Sequence, residues 1–469
     1  MEINKKKVWQ WLCATLLILV VPNIICWIIQ SKVFMIRGIF VWEYFLIACL
    51  YPYLNRRLFM VIWVLFSIFD MVFATCSFFF MDFFEIIHAL AKIPALSLVD
   101  VLKWTGLLIL LIGITLAMFV LMERHNRSYP FLRFKFLWPF IVGMLIVDFF
   151  NGQGPLRRWS PRLYNTHNNI ISVPSYTLIL SIRDALFSGK MNNSHVEYLG
   201  SVAQTIFAQQ PDSAAYKKQV LILVESWGLL KDSALQREIL SPLYQLNANH
   251  SYELREGHTR FKYLTQAGEF REITGYLYHS YQVHEERVKQ NSIFIKKQQQ
   301  GYHVIGLHGN TWLFYRRHIM WPALGVQEMY FSEDFNKLSM PLCGGNEFRG
   351  ICDTAINTWL FNNMHRQPER KEFYYWVTLS THIPLVKIHD EDYNMFAEKW
   401  KAKGMSENIL QMAYQDRLLF KDLAEKLSKP GSPKVHMLLV GDHAPPCYDP
   451  ADRKWYDAQL VPYIELKSN

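Results

Sequence analysis

The sequence predicts a two-part protein, in which an N-terminal anchor of five transmembrane helices is followed by an α/β domain with a mostly parallel central sheet. Of the 469 residues, 51% are hydrophobic and 15% are aromatic, which is too apolar for an ordinary soluble protein of this length. The long uncharged runs lie before residue 151. From residue 219 onward, short β-rich runs alternate with longer polar or helical segments, a pattern typical of an α/β fold.

Five apolar runs are predicted to cross a membrane. The first, Val8–Ile29, contains no charged residue, and about 20 apolar residues are enough to cross a hydrocarbon core of about 30 Å. No small-x-small cleavage site follows this run, so we interpret it as an uncleaved anchor rather than a signal peptide. The other four predicted spans are Ile36–Leu54, Leu58–Phe80, Thr105–Met122 and Phe136–Phe150.

Basic residues set the predicted orientation, because lysine and arginine concentrate in cytoplasmic loops. With a cytoplasmic N-terminus, the inner loops hold Lys5, Lys6, Lys7, Arg56, Arg57, Arg124, Arg127, Arg133 and Lys135, against Lys32, Arg37, Lys92 and Lys103 outside. Five spans then leave the C-terminal domain outside the cytoplasm. We expect a five-span anchor over 1–150, a membrane-surface connector over 151–218 and an extracytoplasmic catalytic domain over 219–469.

The net charge of +9 does not indicate a nucleic-acid partner. Much of it lies in the predicted membrane loops, and the C-terminal half has no basic run with interleaved aromatic residues. An anionic membrane surface is the better partner.

Three of the seven cysteines, Cys343, Cys352 and Cys447, lie outside the predicted spans. Cys343 and Cys352 are the candidate disulfide pair, and free thiols throughout are an equal alternative, because sequence alone does not fix pairing.

Four apolar runs predict buried strands, and one crossover helix is visible between the last two. The runs are VLILVES, YHVIGLHG, FYYWVTLSTH and VHMLLVGDH, beginning at Val220, Tyr302, Phe373 and Val435. Such runs are typical of parallel strands covered by helices on both faces. The segment 406–428 has apolar residues at helical spacing, namely Ile409, Met412, Leu419, Leu423 and Leu427.

Polar residues end these four runs, and ligands of open α/β sheets bind beyond the carboxyl ends of the strands. The runs end in Glu225, in His308, in Thr381 and His382, and in Asp442 and His443. Charges at such buried positions are costly unless they are paired or bound to metal. We expect Glu225, Asp442 and His443 to bind one catalytic divalent ion, Mn²⁺ or Zn²⁺. Taken singly, each residue is explained equally well by an ion pair or a helix cap.

Thr265 is a candidate nucleophile. It lies in LTQAGEFREITG, residues 264–275, ahead of a glycine-containing turn that opens a predicted helix. The N-terminal amides of a helix favour phosphate. On the composition of this segment alone, helix capping is the more common role for such a threonine.

Taken in order, these motifs resemble lipoteichoic acid synthase and its relatives, which are membrane-anchored members of the alkaline phosphatase and sulfatase superfamily. The matching motifs are VESWG, T-x-x-x-E-F at Thr265–Phe270, HGNTWLFYRR around Arg317, STHIPL around His382, and VGDH. The resemblance covers about Gln219 to His443. It implies an alkaline-phosphatase-like (sulfatase) catalytic domain, and the predicted five-span anchor agrees with it.

The resemblance also implies roles for single residues. Glu225, Asp442 and His443 match the metal ligands, and Thr265 matches a nucleophile that contacts the metal and becomes transiently phosphorylated. His382 matches a histidine that contacts the substrate phosphate, and Arg317 matches the arginine of the head-group pocket. Tyr315 stands where that family has tryptophan. The T-x-x-G motif that includes Gly268 resembles the motif of the periplasmic glucan phosphoglycerol transferases. The resemblance therefore does not decide which head group is transferred. Ser226 occupies a position where two-metal phosphatases have another ligand, so one metal is expected.

The predicted activity is transfer of phosphoglycerol or phosphoethanolamine from phosphatidylglycerol or phosphatidylethanolamine to a hydroxyl of an envelope polysaccharide or lipid-linked glycan. The predicted location is the bacterial inner membrane. Two alternatives stay open: a sulfatase-like phosphohydrolase, and a catalytically silent lipid-binding regulatory membrane protein. A true sulfatase is disfavoured, because it needs a cysteine or serine converted to formylglycine and the nucleophile position holds Thr265.

Overall fold

The computed structural model divides the chain into two compact units, residues 1–191 and residues 192–469. Residues 192–218, assigned from sequence to the connector, belong to the second unit. The structure describes residues 22–24, 27, 40–41, 43–51, 53–78, 197–209, 215–261, 265–277, 286–344, 349–382, 385–445 and 450–469, with scattered positions between 105 and 182.

In the first unit, one long helix matches a predicted span. Helix α2, Arg56–Phe78, contains the segment Arg56–Ala74, which is apolar and long enough to cross a membrane and is alone in this respect among the described residues. It coincides with the third predicted span, Leu58–Phe80. Most of the first, fourth and fifth predicted spans lies outside the described residues. The five-span anchor therefore stays a prediction.

The second predicted span, Ile36–Leu54, is not one continuous helix where it is described. Strand β1, Phe40–Val41, pairs in parallel with β2, Ile171–Ser172, and helix α1 covers only the 8 residues Glu43–Leu50. A helix of this length is about 12 Å long, too short to cross a membrane. The sequence places Pro52 two residues after α1, and the residue before a proline avoids the helical conformation.

The second unit is built on a seven-stranded sheet. Its strands are β4 Lys218–Val224, β5 Tyr252–Arg260, β7 His303–His308, β8 Glu328–Tyr330, β11 Glu372–Val377, β12 Val435–Gly441 and β13 Leu460–Ser468. Two small antiparallel sheets pair β3, Glu197–Tyr198, with β6, Tyr276–Leu277, and β9, Leu342–Cys343, with β10, Gly350–Ile351.

The strand order is β5-β13-β12-β4-β11-β7-β8, and neighbours from β12 to β8 pair in parallel. This confirms the mostly parallel sheet, and all four predicted runs form adjacent strands at its centre. Strands β5 and β13 were not predicted. They pair antiparallel to each other at one edge, where the mixed polar sequence of β5 is typical of an edge strand.

Helices cover both faces of this sheet. They are α3 Val202–Gln204, α4 Ser233–Ala248, α5 Thr265–Thr274, α6 Glu286–Gln290, α7 Ile293–Gln299, α8 Arg317–Leu324, α9 Ser332–Lys337, α10 Asp353–Arg366, α11 Glu391–Lys401, α12 Glu407–Leu427 and α13 Pro450–Arg453, with a π-helical turn at Thr205–Gln209 and a 3₁₀ turn at Phe314–Arg316. Helix α12 confirms the predicted crossover helix. It begins after Ser406, whose side chain accepts from the backbone N–H of Ile409.

The alternation of side chains along β4 builds the two cores. Val220, Ile222 and Val224 face one core, which includes residues of α4, α10, α11 and α12. Leu221 and Leu223 face the other core, which includes residues of α5, α7 and α8. All seven residues of β4 are buried. A central strand buried on both faces explains the uninterrupted apolar run in the sequence.

Candidate metal centre and nucleophile

Glu225 follows β4 directly, in a sharp turn. The next residue, Ser226, has a φ of 56°, a left-handed conformation that non-glycine residues rarely adopt and that often marks functional sites. Its hydroxyl donates to Glu225 Oε1 at 3.0 Å, and its backbone N–H donates to Asp442 Oδ1 at 2.8 Å. Ser226 therefore links the two carboxylates. No signal in the sequence pointed to this role.

Asp442 and His443 follow β12, the strand beside β4. The His443 backbone N–H donates to Asp442 Oδ1 at 2.6 Å. His443 Nδ1 lies 2.8 Å from the carbonyl oxygen of Ala444. A proton on Nδ1 satisfies that contact and leaves Nε2 free to act as a ligand. His443 Nε2 lies 3.3 Å from Asp442 Oδ2 and 3.6 Å from Glu225 Oε1.

Thr265, the first residue of α5, brings its hydroxyl to the same point. Its Oγ1 donates to Glu225 Oε2 at 2.9 Å and lies 3.3 Å from His443 Nε2. The side chain is buried, with 3% exposure. The structure thus gathers all four predicted residues, Glu225, Thr265, Asp442 and His443, from three separate parts of the chain.

The charged groups in this cluster shift one another's pKa values. Burial, followed by the negative charge of Glu225, raises the pKa of the Asp442 carboxyl to about 7. Burial would also raise the pKa of Glu225, but the charges of His382 and His443, with hydrogen bonds from Thr265 and Ser226, lower it. Burial would lower the pKa of His443, but Asp442 and Glu225 raise it. Two buried carboxylates this close favour a bound cation.

The donor set fits a divalent metal ion. One ligand atom each from Glu225, Asp442 and His443 lies within 4.8 Å of the others, and all three side chains are buried. Among the described residues, no hydrogen bond is made to the fully buried Asp442 Oδ2, although His443 Nε2 lies 3.3 Å away. Such an acceptor is costly to bury unless something binds it. Two carboxylates and one imidazole suit a catalytic Mn²⁺ or Zn²⁺ ion. A structural zinc site would instead have thiolate ligands.

Arg271 and Gly268 on α5 hold this helix against the end of β12. Arg271 donates from Nη2 to the Gly441 carbonyl at 2.8 Å and from Nη1 to the Asp442 carbonyl at 3.2 Å. The sequence suggested that Gly268 lies in a turn that opens a helix. In the structure, Gly268 lies inside α5. A Cβ added at Gly268 would lie 2.9 Å from Asp442 Cα. A small residue here is therefore explained by close packing.

His382 lies in the segment after β11. It is half-buried. The hydroxyl of the preceding residue, Thr381, donates to the Glu225 carbonyl, so the segment lies next to Glu225, and the charge of protonated His382 lowers the pKa of Glu225. His308, at the end of β7, is buried, and its Nδ1 lies 3.0 Å from the Val377 carbonyl oxygen. Burial, then the charges of Arg317 and His382, lower the pKa of His308 well below its usual value.

Arg317 is engaged in a buried ion pair. Its Nε and Nη2 donate to Glu269 Oε1 at 2.9 and 2.7 Å. Glu269 Oε2 also accepts from Trp321 Nε1 at 2.9 Å and from the Tyr375 hydroxyl at 3.3 Å. Arg317 is 1% exposed, and its guanidinium lies 5.2 Å from the Tyr315 ring centroid. The role of Arg317 in head-group binding stays a prediction, since the structure gives the guanidinium a protein partner.

Outside this cluster, the structure joins Cys343 and Cys352 in a disulfide between β9 and the start of α10. This is the pair that the sequence left undecided.

A comparison with protein families supplies the identification. The model of the sulfatase family matches residues 219–466, more than half of the chain. The chain belongs to the sulfatase family. Membership confirms the sulfatase-like domain predicted from the ordered set of motifs. The match begins within β4 and ends within β13, so it includes part or all of each of the seven strands. No curated protein matches the chain significantly.

The sulfatase-family chain is also similar to solved structures. The lipoteichoic acid synthase LtaP from Listeria monocytogenes is 16% identical, with 59% of this chain and 69% of that chain covered and a TM-score of 0.39. The phosphoglycerol transferase GacH from Streptococcus pyogenes, in complex with sn-glycerol-1-phosphate, is 17% identical, with 56% and 71% covered and a TM-score of 0.38. The periplasmic domain of EptC from Escherichia coli, in complex with zinc, is 16% identical, with 54% and 72% covered and a TM-score of 0.38.

Proposed function

We propose that this protein is a metal-dependent transferase that moves a phosphorylated head group from a phospholipid to a hydroxyl of an envelope glycan, through a phosphothreonine at Thr265. The head group is phosphoglycerol or phosphoethanolamine, from phosphatidylglycerol or phosphatidylethanolamine. The acceptor is an envelope polysaccharide or a lipid-linked glycan.

The position of Thr265 carries this proposal. Its hydroxyl is 2.9 Å from Glu225 Oε2 and 3.3 Å from His443 Nε2, so a single ion held by those ligands would also reach Thr265 Oγ1. A divalent ion at this point lowers the pKa of the hydroxyl and stabilises charge on a phosphoryl oxygen. A threonine that only capped the helix would have no reason to place its oxygen beside candidate ligand atoms of both Glu225 and His443.

The reaction then has two halves. Thr265, its hydroxyl proton released to solvent, attacks the phosphorus in line through Oγ1, and the P–O bond to diacylglycerol breaks as His382 donates a proton to the leaving oxygen. In the second half, His382 takes the proton of the acceptor hydroxyl, whose oxygen attacks the same phosphorus. The bond between phosphorus and Thr265 breaks, which leaves the Thr265 oxygen deprotonated and His382 protonated for the next cycle.

The membrane anchor gives this chemistry its location. A donor phospholipid lies in the bilayer, so residues 1–150 as an inner-membrane anchor would hold the catalytic domain beside its substrate. The connector over 151–218 would join the two, and its last part, from residue 192, folds with the catalytic unit. In this proposal the catalytic unit is extracytoplasmic.

Intact-mass spectrometry of the full chain, purified in detergent, tests the proposal. The protein is incubated with Mn²⁺ and either phosphatidylglycerol or phosphatidylethanolamine. One lipid should add one head-group phosphoryl, mapped to Thr265. Thr265→Ala should abolish the adduct, Thr265→Ser should retain it, and Thr358→Ala, at a partly exposed site on α10, should match the wild type.

The alternatives give different results. An adduct that forms and is lost to water, with no transfer to glycan acceptors, would indicate the phosphohydrolase. No adduct with either lipid, with identical spectra for wild type and Thr265→Ala, would contradict the transferase and favour the catalytically silent protein.

A further inference from the structure

Residues 378–382, here called the histidine turn, carry His382 and are hydrogen-bonded to the backbone of the candidate metal ligand Glu225. The backbone N–H of Glu225 donates to Thr378 Oγ1 at 3.0 Å, and the Thr381 hydroxyl donates to the Glu225 carbonyl. The turn closes on itself, because the His382 N–H donates to the Leu379 carbonyl at 3.0 Å. One side of the histidine turn is therefore fastened to the backbone of Glu225.

The other side of the histidine turn is fastened to one carboxylate, that of Asp353. The Leu379 N–H lies 2.9 Å from Asp353 Oδ2 and 3.2 Å from Oδ1. The Ser380 N–H and hydroxyl both donate to Oδ2, at 2.7 and 2.5 Å. Asp353 is 3% exposed, and the proposed chemistry gives it no role. Hydrogen bonds to a charged acceptor are among the stronger ones in proteins.

Helix capping does not explain Asp353. Asp232 and Asp390 directly precede α4 and α11, and their side-chain oxygens accept N–H groups from the first turn of the helix that follows. Asp353 is the first residue of α10, yet its four hydrogen-bond contacts go to Leu379 and Ser380. Its carboxylate thus binds a different segment from the helix it starts.

Asp353 is itself held firmly. The preceding residue, Cys352, is joined to Cys343 by the disulfide, and its N–H donates to the Pro341 carbonyl at 3.0 Å. The Ile351 N–H donates to the carbonyl of Gly309, one residue after β7, at 2.7 Å. The carboxylate is thereby fixed to the same end of the sheet that carries the site.

We propose that Asp353 is a positioning residue for His382: its carboxylate fixes the histidine turn so that the imidazole stands at the reacting phosphate. The proposal rests on the proposed function, which gives His382 its proton-transfer role. It predicts that replacing Asp353 impairs the reaction only where His382 is present.

A double-mutant cycle tests this dependence. Diacylglycerol release is measured with the full chain, Mn²⁺ and micelles of phosphatidylglycerol, or of phosphatidylethanolamine if that lipid gives the Thr265 adduct. Without an acceptor, the measured quantity is the rate constant of the first turnover. Asp353→Asn keeps the shape of the side chain but turns one hydrogen-bond acceptor into a donor. It should lower this rate constant by about 10-fold to 100-fold, because a small misplacement of a catalytic group has effects of this size. In a His382→Ala background the same change should lower it less than about twofold.

Equal losses in both backgrounds would overturn the proposal, since a purely structural role affects both. So would a His382→Ala variant with the wild-type first-turnover rate constant. Ser380→Ala covers the case in which Asp353→Asn fails to fold. It removes one hydrogen bond to the same carboxylate and should lower the first-turnover rate constant by about threefold, again only with His382 present. Asp422→Asn is the matched control, because this half-buried aspartate accepts from Asn357 of α10 at 2.7 Å without contacting the turn.

Hydrogen–deuterium exchange of the full chain separates this proposal from the proposed function. Peptides covering 378–382 should exchange faster in Asp353→Asn than in wild type or Asp422→Asn. Failure of any phospholipid to modify Thr265 would overturn the transferase, while this exchange measurement still decides whether Asp353 holds the turn. Unchanged exchange in Asp353→Asn would overturn the positioning role, even in an active transferase.

Discussion

Gly268 packs directly against the backbone of Asp442. A Cβ added at Gly268 would lie 2.9 Å from both Cα and Cβ of Asp442 and 3.0 Å from its carbonyl oxygen. These atoms directly follow β12 and cannot move as the tip of a flexible side chain can. The glycine therefore lets α5 bring Thr265 within reach of the candidate metal ligands.

Gly268→Ala should displace Asp442 and weaken metal binding. Overpacking of this kind costs about 1–3 kcal/mol, so we expect a lower melting temperature and at least a tenfold weaker affinity for Mn²⁺ in titration calorimetry. Gly113→Ala is the control, because an added Cβ there meets no atom of the described residues within 4 Å. Wild-type affinity in Gly268→Ala would show that the helix can shift without disturbing the site.

Ser226 should tolerate glycine better than alanine. Both changes remove the hydroxyl that donates to Glu225 Oε1, so both should weaken metal affinity, by about threefold to tenfold. Only alanine keeps a Cβ at a φ of 56°, which costs roughly 1 kcal/mol relative to glycine. Thermal unfolding should therefore rank Ser226→Gly above Ser226→Ala. The reverse order would indicate that the left-handed conformation is relaxed in the variants.

Metal affinity should fall as the pH drops below 7. Burial, then Glu225, raises the pKa of Asp442 to about 7, and Asp442 and Glu225 raise the pKa of His443 against the effect of burial. Both groups must lose their protons to bind a metal. Below pH 7, protons therefore compete with the metal ion for Asp442 and His443, and above pH 7 this competition weakens. Calorimetric titration with Mn²⁺ should show about a tenfold loss per pH unit, or more, between pH 7 and 6. A flat profile would exclude Asp442 and His443 as ligands.

Arg317 should matter for folding more than for head-group binding. Arg317→Leu leaves the carboxylate of Glu269 buried at 0% exposure without its cation, and breaking such a pair costs about 3–5 kcal/mol. The double variant Glu269→Leu with Arg317→Leu should recover most of that stability in thermal unfolding. If Arg317→Leu instead keeps the wild-type melting temperature and only raises KM for the lipid, the head-group role predicted from sequence is the better one.

Much of the fold of the second unit could be predicted from the sequence because central parallel strands have a simple signature. The runs after Val220, Tyr302, Phe373 and Val435 are apolar on both faces, and each became a strand of the parallel core. Polar residues at their ends then lie along one edge by topology alone. Edge strands such as β5 escape this reasoning, since one side faces water and their composition resembles a loop.

Sequence by itself determined which residue types end the strands, and hence Glu225, Asp442 and His443 as metal-ligand candidates. The motif resemblance predicted Thr265 beside them, but only the tertiary structure shows how it comes there, because that depends on how closely α5 packs on the end of β12 at Gly268. The same holds for Ser226, which links two carboxylates through a left-handed backbone, and for Asp353, which holds a turn distant in sequence. Such contacts join segments far apart in the chain, so no local pattern encodes them.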